Sequence, residues 1–210
     1  MWELIRAGNV MMIPLGLCSV IALTVFLERL YALRRSRILL PEVAGAVATL
    51  HAADDFAVAR AILARNPGPF ATVVGAGLDH ADHDWPVVRD VLQETGRQES
   101  VRISRHLNIL EVVAAVAPLL GLLGTVTGMI RLFEDVKAVG LGDATMLSGG
   151  ISEAMITTAA GLMIGIPALV GYYWLQGRAD AIIFDLERYA TQVLDTLRER
   201  RLRGVARAGS

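Results

Sequence analysis

The sequence predicts an all-α membrane protein with three transmembrane helices, of which the second and third extend into a helical cytoplasmic domain. Of the 210 residues, 54% are hydrophobic, and the mean hydropathy of +0.49 is too apolar for an ordinary soluble domain. Three runs without a charged side chain, 7–27, 112–130 and 154–176, are close to or above the roughly 20 residues that a helix needs to cross the hydrocarbon core. No alternation typical of β-strands occurs along the chain.

The first run is interpreted as a retained helix rather than a cleaved leader. It is longer than the apolar core of a usual signal peptide, and the ERLYALRRSR that follows offers no small-residue cleavage site. Cys18, the only cysteine, lies inside this run. A disulfide framework is therefore excluded, and a small packing residue is the simplest reading of Cys18.

Basic residues are concentrated on one side of the three runs, although the net charge is only −1. That side carries Arg29, Arg34, Arg35, Arg37, Arg97, Arg102, Arg105, Arg178, Arg198, Arg200, Arg201, Arg203 and Arg207. The other side carries Arg6, Arg131 and Lys137, with the acids Glu134, Asp135, Asp143 and Glu153 nearby. Because cytoplasmic loops are enriched in arginine and lysine, the N-terminus is expected outside and the C-terminus in the cytoplasm.

These boundaries divide the chain into seven segments. They are an interfacial amphipathic segment 1–9, a first transmembrane helix 10–28, a cytoplasmic helical domain 29–108 that includes the start of the extended second helix, a second transmembrane helix 109–131, a periplasmic loop 132–152, a third transmembrane helix 153–177, and a cytoplasmic C-terminal helix and tail 178–210. Within the cytoplasmic domain Asn66-Pro67-Gly68-Pro69 breaks the chain, and Asp84 is placed to cap a helix that opens with Trp85-Pro86. An apolar stripe then continues without a breaker into the second run, so that helix is expected to project beyond the membrane.

Small residues recur at steps of three and four along the second and third runs. The set predicted to pack the two helices together is Gly121, Gly124, Gly128, Gly161 and Gly165, with Pro118 and Pro167 as bends. Lipid gives little hydrophobic drive for helix association, so close approach of backbones must supply the contact.

Threonines lie among these small residues at matching depths: Thr125 and Thr127 in the second run, and Thr157 and Thr158 in the third. Two readings stay open: each hydroxyl bonds a carbonyl of its own helix, or the hydroxyls line a polar path. Glu153, just before the third run, is either a first-turn acid favoured by the helix dipole or the mouth of such a path. Neither run holds an ionisable side chain, so any charge that crosses must be carried by something else.

Other classes of site receive little support. His80, Asp82, His83 and Asp84 are the only cluster of metal-ligand types, but such spacing on a loop is common by chance. The sequence contains no phosphate loop, no hydrolase or metalloprotease motif and no basic-aromatic surface for nucleic acid. We therefore expect no enzyme activity, cofactor or metal, and we interpret the arginine-rich tail as a contact with membrane lipids.

The motifs APLLGLLGTVTGMI (117–130) and GGISEAMITTAAGLMIGIPALVGYY (149–173) resemble the paired motifs of the ExbB/TolQ/MotA family of proton-channel stator subunits. The close match covers about 108–175, and the three-helix layout and LERLYALRR (27–35) extend it along the chain. By motif match, Thr125 and Thr158 correspond to the family's pore-facing threonines, Glu153 is the acid before them, and Thr157 is grouped with this proton pathway. Thr127 stands where the best-known members have tryptophan, and Arg131 stands where they have a smaller neutral residue or histidine.

The resemblance implies a homo-oligomer, usually a pentamer, in the bacterial inner membrane. It would surround two copies of a single-span partner of ExbD or TolR type, whose membrane aspartate accepts and releases the proton. Such complexes use the proton-motive force to energise a TonB- or TolA-type protein that spans the periplasm. Because MotA-type subunits have four membrane helices, the match to them is weaker. The short N-terminus and the GISEAMITTAAGL wording favour an ExbB-like role in biopolymer transport over a TolQ-like role.

Two further classes stay in competition with a proton channel. One is a non-conducting membrane scaffold whose small-residue helices only oligomerise. The other is a solute transporter, which is disfavoured because the three spans show no inverted repeat or pair of broken helices. The sequence does not distinguish proton from sodium as the coupling ion.

Overall fold

The computed structural model describes residues 10–33, 56–139 and 144–208. The predictions for segment 1–9, for Arg34, Arg35 and Arg37, and for Asp143 lie outside these residues. The side chains of 138, 139, 144–147, 153 and 203–208 are also outside the described part. Glu153 is therefore placed only by its backbone, inside a helix.

Every regular element in the described residues is a helix. There are six: α1 (Met12–Ala32), α2 (Ala57–Arg65), α3 (Pro69–Asp79), α4 (Trp85–Ser104), α5 (Leu107–Val139) and α6 (Ala144–Ala208). Three helical stretches are long and apolar enough to cross a membrane: Met12–Ala32, Trp85–Lys137 and Ser148–Leu202. The predicted class, an all-α membrane protein, is confirmed. The segment 132–152 expected between the last two spans is helical as far as Val139 and again from Ala144.

The chain divides by its internal packing into two compact units. The first, which we call the membrane unit, consists of residues 1–30 and 106–175. The second, which we call the helical unit, consists of residues 31–105 and 176–210. The 65-residue helix α6 contributes to both, and Pro167 lies inside it without ending it.

The membrane unit exposes large apolar side chains on each of its helices. Ile13 of α1, Leu119 of α5 and Met163 of α6 are 77%, 63% and 67% exposed. A soluble protein rarely presents so much apolar surface, whereas lipid tails or other membrane helices cover such surface without penalty. The exposed faces therefore agree with three helices that span a bilayer.

The helical unit has a conventional apolar core formed by α3, α4 and the C-terminal part of α6. The rings of Phe70 and Tyr189 meet edge to face with their centroids 5.3 Å apart. Gly77 lets α3 approach closely, because a Cβ there would lie 3.0 Å from Leu92 Cδ2 and 3.2 Å from Val193 Cγ1. The buried residues around these contacts are Val73, Val74, Leu78, Val88, Ile103, Ala179, Ile182, Leu186 and Leu197.

The turn before α4 follows its sequence prediction only in part. Asp84 occupies the N-cap position and Pro86 lies in the first turn, but the Asp84 side chain makes no capping hydrogen bond. Instead, Arg201 donates to Asp84 Oδ1 at 3.2 Å and to the His83 carbonyl at 2.8 Å. The Asp84 carboxylate therefore pairs with α6, while the Asp84 carbonyl accepts hydrogen bonds from the Val87 and Val88 amides at the start of α4.

The projection of the second span beyond the membrane is interrupted. α4 ends at Ser104 and α5 begins at Leu107, with Arg105 and His106 between them. His106 has a φ of 66°, a left-handed backbone conformation that residues other than glycine seldom adopt. The second span and its extension are thus two helices rather than one.

Candidate functional site

In the membrane unit α5 packs closely against α6 at a series of glycines. We call this contact the glycine seam and define it by Gly121, Gly124, Gly128, Gly161 and Gly165. Gly128 of α5 faces Ala154 of α6, and Pro118 of α5 faces Gly165 of α6. Residue numbers thus fall along α5 as they rise along α6. The two helices are therefore antiparallel, as expected for consecutive membrane spans.

The backbones approach so closely that most positions of the seam leave no room for a methyl group. A Cβ on Gly161 would lie 2.6 Å from the Ala117 carbonyl oxygen and 3.0 Å from Gly121 Cα. A Cβ on Gly165 would lie 2.6 Å from Pro118 Cγ. Backbone and proline-ring atoms cannot rotate away, so these sites tolerate only glycine unless the helices separate.

Thr158 provides a hydrogen bond across the seam. Its Oγ1 donates to the Gly121 carbonyl at 3.0 Å. The bond can form because the Cβ-free Gly121 lets Thr158 Cα come close: a Cβ on Gly121 would lie 3.1 Å from that atom. Thr158 remains half-buried, and its hydroxyl oxygen keeps lone pairs that can accept a hydrogen bond.

Thr125 and Thr127 bond carbonyls of their own helix. Thr125 Oγ1 donates to the Leu122 carbonyl at 2.6 Å. Thr127 Oγ1 lies 3.0 Å from the Leu123 carbonyl and 3.1 Å from the Gly124 carbonyl. Both side chains are half-buried. For these two residues the structure shows a bond to a carbonyl of the same helix, which was one of the two alternatives predicted from the sequence.

Thr157 is placed differently from its neighbour. It is fully buried, with 0% exposure, and packs against Gly124 so tightly that a Cβ on Gly124 would overlap Thr157 Cγ2. Its side chain therefore has no surface from which to face an open path in the single chain. This burial favours a packing role for Thr157.

The seam extends past the predicted spans. A Cβ on Gly150 would lie 2.8 Å from Leu132 Cδ1, although both residues fall in the segment assigned to the outer loop. Gly150 was not among the predicted packing residues because it lies outside the apolar runs 112–130 and 154–176. Its spacing of four from Ala154 was the available signal.

Pro118 and Pro167 lie inside their helices but have different neighbours. Pro118 is in the seam, as described above. Pro167 is exposed and lines an apolar groove of about 720 Å³ between α1 and α6. In this groove α1 contributes Phe26, whose ring lies against Gly171: a Cβ there would lie 2.9 Å from Phe26 Cδ2.

A second cluster of polar side chains lies where α5 begins. Arg29, only 8% exposed, donates from Nη2 to Glu28 Oε1 at 2.6 Å. His106 Nδ1 lies 3.2 Å from Glu28 Oε2 and 3.4 Å from Arg29 Nη2. Glu28 and Arg29 are adjacent in the sequence, whereas His106 is 77 residues away from Arg29 in the chain.

The residues once considered as metal ligands have other partners. His80 Nδ1 bonds the Ala76 carbonyl at 2.9 Å, and Asp84 binds Arg201. Across the described ranges 10–33, 56–139 and 144–208, no group of three or more histidine, cysteine, aspartate or glutamate side chains is arranged to hold a metal ion.

Comparison with known proteins agrees with this architecture. The sequence model of the MotA/TolQ/ExbB proton channel family matches residues 66–188. A protein of Synechocystis named "Putative biopolymer transport protein ExbB-like 1" is 38% identical over 78% of this chain and 65% of its own length. "Biopolymer transport protein exbB1" of Vibrio cholerae is 31% identical over 83% of this chain and 78% of its own length.

A third relative comes from an archaeon. The "Putative biopolymer transport protein ExbB homolog" of Methanothermobacter thermautotrophicus is 28% identical over 88% of this chain. The match spans 66% of that protein and 65% of the Synechocystis protein, slightly under two thirds of each. The family match includes the whole glycine seam and, in the helical unit, residues 66–105 and 176–188.

Proposed function

Because the chain belongs to the MotA/TolQ/ExbB proton channel family, we propose that it is an ExbB-like channel subunit that couples proton flow across the bacterial inner membrane to a TonB-type energy transducer. The observation that carries this proposal is the hydrogen bond from Thr158 to Gly121 inside a seam without charged side chains. From 112 to 130 and from 154 to 176 the chain has no aspartate, glutamate, histidine, lysine or arginine. The seam can bind a proton carrier but cannot itself hold the proton.

The carrier in this proposal is a carboxylic acid on a partner's membrane helix. A charged group at the bilayer centre is unfavourable unless it is paired or hydrated, so the acid must be protonated or solvated as it passes. Thr158 already uses its hydroxyl hydrogen on Gly121 and offers lone pairs. It is therefore suited to accept a hydrogen bond from the protonated acid.

Thr125 supplies the complementary interaction. Its bond to the Leu122 carbonyl is of the own-helix type, which contributes little net stability and can be exchanged by rotation about χ1. A freed hydroxyl can donate to a carboxylate. Thr125 and Thr158 thus provide one donor and one acceptor within about one helical turn of Gly121. Glu153 would mark the entrance to the path, and Thr157 would contribute packing.

The exposed apolar faces support a closed homo-oligomer, which we propose is a pentamer. It would surround an ExbD- or TolR-like single-span protein that carries a membrane aspartate, and act on a TonB- or TolA-like transducer. The relatives named as ExbB proteins favour the ExbB role over the TolQ role. The arrangement of basic residues supports a periplasmic N-terminus and a cytoplasmic C-terminus, with the helical unit in the cytoplasm.

Reconstitution tests whether the partner's acid carries the proton while this chain only lines its path. Liposomes with the purified chain alone should show no proton flux above empty liposomes. Flux should appear when an acid-carrying single-span partner is co-reconstituted, and it should disappear when that acid is changed to its amide. Robust flux from the chain alone would contradict the proposal. A complex that forms with the partner but never conducts would favour the scaffold.

A further inference from the structure

One nitrogen atom at the start of α5 has two competing neighbours. His106 Nδ1 lies 3.4 Å from Arg29 Nη2, which can only donate, and 3.2 Å from Glu28 Oε2, which as a carboxylate can only accept. An imidazole nitrogen carries either a lone pair or a hydrogen. It can therefore accept from Arg29 or donate to Glu28, but it cannot do both.

We propose that His106, Glu28 and Arg29 form a proton-binding switch. A proton on His106 Nδ1 determines whether this nitrogen bonds Glu28 or Arg29, and His106 lies at the break between α4 and α5. Histidine is the side-chain type whose charge changes at physiological pH. The switch is defined by the geometry of the three side chains, so it stands whether or not the channel function proposed above is correct.

In the neutral state Nδ1 accepts from Arg29. The reason is the difference in exposure between the two neighbours. The Arg29 side chain is 9% exposed and its Nε is buried with no hydrogen-bond partner among the described residues, whereas the Glu28 side chain is 47% exposed. A buried donor that loses its acceptor costs about 1–3 kcal/mol, while the Glu28 oxygen can turn to water. The neutral imidazole therefore keeps its hydrogen on Nε2.

In the charged state the added proton sits on Nδ1 and is donated to Glu28. The bond is then an ion pair with a hydrogen bond, which is stronger than a bond between neutral groups. Arg29 keeps its 2.6 Å contact with Glu28 Oε1 and loses the contact with His106. The exchange takes place at a residue with a φ of 66°, a conformation that surrounding contacts must hold in place.

Glu28 and Arg29 are the charged groups that contact His106. On α1 the neighbours are Glu28 and Arg29 themselves. α6 has no charged side chain from 154 to 175. The nearest charged residues along its own chain segment are Arg102, Arg105 and Glu111. Arg102 pairs with Glu99, and within the described part of the chain Arg105 and Glu111 form no ion pair.

The tautomer of neutral His106 gives the first test. The full chain, labelled with nitrogen-15 in its histidines, is placed in lipid bilayers and followed by solid-state NMR over a pH series. Of the four histidines, the His106 signal is assigned by its loss in His106→Gln. In its neutral form, His106 should show an unprotonated Nδ1. His80 is the internal control, because its Nδ1 bonds a carbonyl and must carry hydrogen. A neutral His106 with hydrogen on Nδ1 would overturn the proposal.

Variants give a second test with opposite signs. Glu28→Gln removes the acceptor of the charged state, so the neutral form of His106 should become a larger fraction at a given pH. Arg29→Gln removes the donor to the neutral state and a nearby cation, so the charged form should become a larger fraction. Asp90→Asn, at an exposed ion pair on α4, should leave both fractions unchanged. Changes in the same direction, or none, would refute the switch. If Arg29→Gln fails to fold, the Glu28→Gln variant and the tautomer of neutral His106 still test the proposal.

Discussion

The hydroxyl of Thr158 donates to the carbonyl of Gly121 at 3.0 Å, from one membrane helix to the next. The bond depends on the absence of a side chain at Gly121 and at Gly161, because both glycines bring the two backbones together. Interhelical hydrogen bonds of this kind contribute about 0.6–2 kcal/mol in membrane proteins. The same threonine thus serves the packing of the subunit and, in the proposed function, the passage of the proton.

Replacing Thr158 by valine separates these two roles. Thr158→Val keeps the shape and removes the hydroxyl, so the chain should still assemble with its partner. Partner-dependent proton flux should fall by about five- to tenfold, the effect of losing a hydrogen bond worth about 1–1.4 kcal/mol at the transition state. Flux into liposomes, measured with a pH-sensitive dye, checks this.

Thr158→Ser is the matched control for that experiment. It restores a hydroxyl at the same position, and flux should return to near the starting level. Normal flux in a Thr125→Val, Thr158→Val double variant would count decisively against a role of these hydroxyls in conduction.

Gly161 should not tolerate even a methyl group. Gly161→Ala places a Cβ 2.6 Å from the Ala117 carbonyl oxygen, so the helices must separate, at a cost of about 1–3 kcal/mol. Gly16→Ala is the control, because in the described part of the chain no atom outside its own helix backbone lies within 4 Å of the added Cβ. Thermal unfolding of the full chain in detergent, followed by circular dichroism, should show a lower Tm for the first variant only. Equal Tm values would show that the seam is looser than described.

Gly124 and Thr157 should be energetically coupled. Gly124→Ala introduces a Cβ that overlaps Thr157 Cγ2 and lies 2.8 Å from Thr157 Cβ. Thr157→Ala removes the first of these clashes, so the double variant should be less destabilised than the sum of the two single variants. A coupling of about 0.5–3 kcal/mol is expected for residues in contact. Additive effects in the unfolding experiment would mean that the two side chains do not meet.

Two phenylalanines of the helical unit should behave oppositely. Phe70 is 3% exposed and meets Tyr189, so Phe70→Ala should destabilise the fold by about 3–5 kcal/mol. Phe184 is 66% exposed, and Phe184→Ala should change stability by less than about 0.5 kcal/mol. Chemical denaturation of both variants tests the assignment of the core. A large loss at Phe184 would show that it is covered by another copy of the chain.

The spans and the seam could be predicted from the sequence because both follow from local composition. An uncharged run of about 20 residues has one stable place in a membrane protein. Glycines at steps of three and four, such as Gly121, Gly124 and Gly128, must share one helix face. The same argument located Gly161 and Gly165 on the facing helix.

The rest depended on contacts between distant parts of the chain. Thr157 and Thr158 are neighbours about 100° apart on one helix, so only the crossing of α5 and α6 decides which is buried. The break at His106 has no glycine or proline to mark it, and its partners Glu28 and Arg29 belong to another helix. Asp84 lies at the N-cap position that the sequence predicts, but its carboxylate accepts a hydrogen bond from Arg201 and does not cap the helix.

The absence of charge along the glycine seam also has an electrical consequence. A membrane potential does work only on charge, about 2.3 kcal/mol for each elementary charge moved across 100 mV. The stretches 112–130 and 154–176 carry none, so their displacement contributes no gating charge. In the proposed assembly the voltage therefore acts on the proton and on the charges of the partner. The seam that surrounds them carries no charge on which the voltage can act.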